Sequence, residues 1–104
     1  MQDVEAILRD VRENDLVGFT LKGGHKIDFS GTQAQVEEDR LSGGDGVEVC
    51  RYRGILSNGA MLVEMVRHRQ ERPVRIEVPL ETVQDFRTYQ HTDYRIATEQ
   101  VAPR

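Results

Sequence analysis

The stretch Val17-Gly18-Phe19-Thr20-Leu21-Lys22-Gly23-Gly24-His25-Lys26-Ile27-Asp28-Phe29 alternates apolar and polar side chains on both sides of a glycine pair. A period of two marks a strand with one buried face, and glycines between two such runs mark a corner. Side-chain parity then selects the loop. A two-residue Gly23-Gly24 loop would set Phe19 against Asp28 and send the two apolar sets to opposite faces. A three-residue Lys22-Gly23-Gly24 loop, with Gly24 left-handed, pairs Leu21 with His25, Phe19 with Ile27 and Val17 with Phe29. This register gives one apolar face and is the one expected.

The same test applies to Leu56-Ser57-Asn58-Gly59-Ala60. Asn-Gly is the strongest type I′ signal, and a two-residue loop pairs Leu56 with Met61, Gly54 with Val63 and Tyr52 with Met65. Cys50 joins that inner face. The outer face carries Arg51, Arg53 and Ile55 against Leu62, Glu64 and Val66, with Arg53 opposite Glu64.

Working outward, residues 3–13 have helical spacing. Val4, Ile7, Leu8 and Val11 form one apolar stripe, Asp3 is a good N-cap, Glu5 is one turn before Arg9, and Asn14-Asp15 ends the segment. Residues 32–46 have no strand period. Val36 to Leu41 is expected to make one helical turn, and Ser42-Gly43-Gly44-Asp45-Gly46 reads as a flexible connection. Val74, Ile76 and Val78 alternate as a further strand, Pro79 to Thr82 forms a tight turn, and Val83 to Tyr89 a last strand. Residues 90–104 have no clear period, though Tyr94 and Ile96 are candidate anchors. The expected fold is mainly β (α+β). A helix leads into a small five-stranded, strongly bent antiparallel barrel over 16–89, and residues 1–104 form one domain.

The order of helix, strand, Lys22-Gly23-Gly24 turn, bent strand, hairpin and Val78-Pro79-Leu80-Glu81-Thr82-Val83 before a closing strand resembles the Sm-like and SH3-like small barrels. These include RNA-binding Sm/Hfq proteins and an Sm-like inhibitor of the Rho terminator. The likeness spans roughly residues 4–89 and lies in arrangement and turn chemistry. The second strand reaches its glycine two residues later than in Sm proteins. The Asp and Asn that read uridine there have no match around Asn58, and the late Arg-Gly is missing after Leu80. No RNA-binding residue is therefore carried over.

The composition narrows the function. One cysteine, Cys50, leaves no internal disulfide and no metal-binding spacing, and no apolar run approaches the ~20 residues needed to cross a bilayer. The acidic start Met1-Gln2-Asp3-Val4-Glu5 lacks the basic and apolar regions of a secretory signal, so a cytoplasmic protein with no membrane partner is expected. The net charge of −4 is uneven: residues 1–48 carry −6 and residues 49–104 carry +2. Six arginines fall within 51–75, of which Arg51, Arg53, Arg67, Arg69, Arg72 and Arg75, with His68, form a candidate anion or nucleic-acid site. A cross-strand ladder, Arg53 with Glu64 and Arg51 with Glu77, explains the same charges without a ligand. His25, His68 and His91 are scattered, and no nucleophile–base pair or phosphate cradle accompanies them. No enzyme activity, cofactor or metal is expected. Ile55, Leu62 and Val66, apolar residues among charges on one exposed face, form a candidate contact for a protein partner or a second copy. The expectation is a non-enzymatic binding or regulatory module acting through protein–protein contact, self-association included. The alternative is an Sm-like nucleic-acid-binding protein using Arg51–Arg75.

Overall fold

The computed structural model describes residues 3–65 and 74–89. These residues form a short helix, α1 (Val4–Leu8), and seven strands: β1 (Leu16–Leu21), β2 (His25–Asp28), β3 (Ala34–Glu38), β4 (Gly46–Ile55), β5 (Met61–Met65), β6 (Arg75–Val78) and β7 (Val83–Thr88). A 3-10 turn, Leu80–Thr82, leads into β7. The strands make one sheet in the order β2-β3-β6-β5-β4-β1-β7. The fold is mainly β, as expected, with seven strands rather than five. Among the described residues no helix is long and apolar enough to cross a membrane.

Chain connectivity requires this sheet to curl. β1 and β2 lie five strand positions apart, about 24 Å in a flat sheet at ~4.8 Å per strand. Yet Lys22, Gly23 and Gly24 join them directly, and the four steps from Leu21 to His25 reach at most ~14 Å. The two ends of the sheet must therefore approach each other, giving a half-barrel with a seam between β1 and β2.

The first corner is thus a bend and not the expected hairpin. Gly24 is left-handed at φ +87°, but β1 pairs with β4 and β7, and β2 with β3. Five of the six residues of β1 are buried, which suits a strand flanked on both sides. The seam is bridged by Asp45. Its carbonyl accepts from the Leu21 N–H (2.8 Å) and its own N–H donates to the His25 carbonyl (3.4 Å). Its carboxylate accepts from the Ile27 N–H (2.7 Å). The Ser42 hydroxyl donates to the His25 carbonyl (2.7 Å), so the edge strand β2 is covered by the loop between β3 and β4.

Residues 34–38, expected as part of a flexible connection with a helical turn from Val36, form β3 instead. This strand pairs antiparallel with β2 and parallel with β6. Its sequence hides it because only Ala34 is buried, leaving no alternation to read.

The second hairpin differs by two slips. Its loop is Ser57-Asn58-Gly59: the Gly59 N–H donates to the Leu56 carbonyl and the Leu56 N–H to the Ala60 carbonyl. Gly59 is left-handed at φ +86°, whereas Asn58 is not, so the turn is type I with a glycine bulge and not type I′. A second bulge lies between Tyr52, which pairs with Val63, and Gly54, which pairs with Leu62. Gly54 has φ +125°, a conformation that L-residues rarely adopt.

Inside the curl, Phe19, Leu21, Met61, Val63, Ile76 and Val78 are wholly buried and join one core with Ile27 and Tyr52. The helix packs on this interior through Val4 and Leu8, with Ile7 and Val11 partly buried beside them. Asp3 caps it, its carboxylate accepting from the Ala6 N–H (3.2 Å). The helix is shorter than the expected 3–13 because its last turns tighten: Asp10 donates to the Ile7 carbonyl and Val11 to that of Leu8. The Asp15 carboxylate takes the Arg12 N–H (2.9 Å), and Asn14 turns left-handed at φ 79°.

Candidate functional site

The Gly54 bulge decides where Ile55 goes. Residues directly opposite each other in an antiparallel pair share a face. Ile55 pairs with Met61, which is wholly buried, so Ile55 lies on the inner side, at the rim of the curl. Leu62 pairs with Gly54 and Glu77 on the outer side. The expected patch of Ile55, Leu62 and Val66 is therefore not one surface. The hairpin's two slips divide Ile55 from Leu62, and Val66 lies outside the described residues.

At the rim Ile55 is 49% exposed, while Tyr52 beside it is almost covered. The two meet the helix in a cleft of ≈ 360 Å³ whose apolar walls are Leu8, Tyr52, Ile55 and Leu80 and whose charged rim is Glu5 and Arg9. Burial raises the Tyr52 phenol above its usual pKa. A second hollow of ≈ 440 Å³ adjoins the cleft, sharing Glu5 and Leu80 and adding Asp3, Glu81 and Lys22. An apolar slot thus opens beside three carboxylates. Its walls come from three elements remote in sequence, α1, β4 and the 3-10 turn, and Ile55 faces it only because of the two slips, so parity counting alone misses it.

The described arginines of the candidate anion site are already engaged. Arg53 donates to the Asn14 side-chain oxygen (2.5 Å) and Arg51 to the Asn14 carbonyl (3.4 Å). Arg75 pairs with Glu64 at 3.2 Å. Glu64 lies opposite Arg51, correcting the expected Arg53–Glu64 pair, and Glu77 receives Asn58 (3.5 Å). Exposed pairs of this kind contribute about 0–1 kcal/mol each. Arg67, His68, Arg69 and Arg72 lie outside the described residues. Arg87, not singled out by the sequence, pairs with Asp85 (2.6 Å) and reaches the Val47 carbonyl (3.5 Å).

Among the described residues no group of three or more His, Cys, Asp or Glu side chains could hold a metal. His25 contacts the Lys22 carbonyl through Nδ1 (3.3 Å), and His91 lies outside the described residues. Cys50 is wholly buried, and desolvation pushes its thiol up to about 12 despite the opposing charge of Arg87. Since the thiolate is the nucleophile, Cys50 should resist a disulfide reagent at pH 8 in the folded protein and react once the chain unfolds. Rapid labelling under native conditions would contradict the burial.

No family model matches the chain, and no curated protein or solved structure matches it either.

Proposed function

We propose that this chain is a non-enzymatic binding module that contacts another protein through the cleft between α1, Leu80 and the β4–β5 hairpin. The observation that carries this reading is Ile55: a glycine bulge turns a half-exposed branched side chain toward Tyr52 and Leu8. Concave apolar walls with a few charges at the rim are what a partner's anchoring side chain fits. Kinship with the Sm-like and SH3-like barrels belongs to the same proposal. It is supported by the curled sheet, the N-terminal helix and the 3-10 turn before the last strand. The nucleic-acid reading has less support, because Arg51, Arg53 and Arg75 already have partners within the chain.

Ile55→Asp tests the proposal. The side chain is half exposed, so the change should cost at most about 1 kcal/mol of stability. A pull-down from native lysate, with and without nuclease, should recover protein that survives nuclease and is lost with Ile55→Asp. Recovery that is abolished by nuclease and unaffected by Ile55→Asp would overturn it. In that case binding should weaken steeply with salt and fall with Arg51→Glu/Arg75→Glu.

A further inference from the structure

Leu41, in the turn between β3 and β4, is 97% exposed. The turn that carries it is anchored on both sides. The Leu41 N–H donates to the Asp39 carboxylate (3.0 Å). The Ser42 N–H donates to the Asp39 carbonyl (3.0 Å), Asp39 donates to the Gly24 carbonyl (2.8 Å), and Gly24 donates to that of Ser42 (2.8 Å). A leucine held fully in water on an ordered turn is an apolar knob that needs little further ordering on binding. Arg40, exposed beside it, adds a positive charge.

The cleft is the complement of this knob. Its walls are apolar and its rim carries Glu5 and Arg9, and on the side of Leu80 it runs into the hollow where Asp3, Glu5 and Glu81 outnumber Lys22. Leucine beside arginine faces an apolar slot whose surroundings carry three carboxylates against two cations, Arg9 and Lys22. We propose that a second copy of the chain seats its Arg40-Leu41 turn in this cleft, with Leu41 against Ile55 and Tyr52 and Arg40 beside Glu5 and Glu81. The inference rests on the protein-contact reading of the cleft and names its occupant. Knob and cleft are made of different residues, so each contact joins the knob of one copy to the cleft of another. One leucine and its flanking charge bury far less than the ~1,200 Å² of a stable interface, so the contact is transient and depends on concentration.

Sedimentation equilibrium of the full chain tests it, over roughly 10 μM to 1 mM, the range in which a contact this small is populated. The apparent mass of the wild type should rise with concentration, whereas Leu41→Asp and Ile55→Asp should each stay at the monomer mass. An equimolar mixture of the two variants should recover a 1:1 pair, since one keeps the cleft and the other the knob. Arg40→Glu should weaken association several-fold, as should added salt. Leu41 makes too little contact for Leu41→Asp to unfold the chain, so that variant remains informative however Ile55→Asp behaves. A wild type that stays monomeric throughout, a Leu41→Asp variant that associates normally, or a mixture that stays monomeric would each overturn the inference. If the wild type is monomeric but Ile55→Asp alone loses a lysate protein, the contact reading stands and the self-contact fails. If neither variant changes either result, both fail.

Discussion

Gly44→Ala should destabilise the domain by about 3 kcal/mol, combining a strained left-handed backbone and overpacking, each worth ~1–3 kcal/mol. Gly44 has φ +100°, and a Cβ there would sit 2.2 Å from the Leu21 carbonyl oxygen. That oxygen belongs to backbone at the end of β1, which is buried and paired on both sides. The loop cannot retreat either, because the next residue, Asp45, bonds to both β1 and β2. For a chain of this length the melting temperature should fall by roughly 12–24 °C. Gly43→Ala is the control: nothing lies within 4 Å of its added Cβ and its φ is ordinary, so its effect should stay within about 0.5 kcal/mol. Equal midpoints for the two variants would contradict the close approach at the seam.

Asp45→Ala should cost about 2 kcal/mol, because a part-buried hydrogen bond to a charged acceptor contributes ~1.5–3 kcal/mol and its loss strands the donor. The donor is the Ile27 N–H, 2.7 Å from the carboxylate. Hydrogen exchange gives this prediction a local readout: the Ile27 amide should exchange much faster in Asp45→Ala. Asp45→Asn, which keeps an acceptor oxygen in place, should restore most of the protection. If Ile27 exchanges alike in all three proteins, the carboxylate does not seal the seam.

Much of the interior was legible because a period of two sorts side chains by face. Phe19, Ile27, Tyr52 and Val63, assigned to one interior from alternation alone, all lie in the core. Alternation does not say which strand is the neighbour. The Lys22-Gly23-Gly24 corner and its left-handed Gly24 were readable, but a three-residue link serves equally for a hairpin and for a bend across a seam. Only the burial of β1 on both sides separates them. β3 escaped because an acidic strand with one buried residue resembles a loop.

The second hairpin shows how a wrong register can leave most faces right. Asn58-Gly59 fits a two-residue type I′ loop and a type I turn with a glycine bulge almost equally well, and the two differ by one residue. The Gly54 bulge adds a second slip of one residue. Together they restore the parity of Cys50, Tyr52 and Val63, which point inward as expected, and reverse it for Ile55, which lies between them. The candidate cleft was invisible from sequence for this reason: it depends on Ile55, whose face is reversed because it lies between the two slips. For the arginines, sequence separation said little about side-chain partners, and Asn14, which precedes β1, receives both Arg51 and Arg53.

The direction taken by Ile55 is the point on which the functional reading turns, and methyl NOE spectroscopy measures it directly. Cross-peaks are expected from the Ile55 methyl groups to the side chain of Met61, its cross-strand partner on the inner face. Cross-peaks from Ile55 to Leu62 in their place would restore the regular type I′ hairpin, return Ile55 to the outer face and remove the cleft.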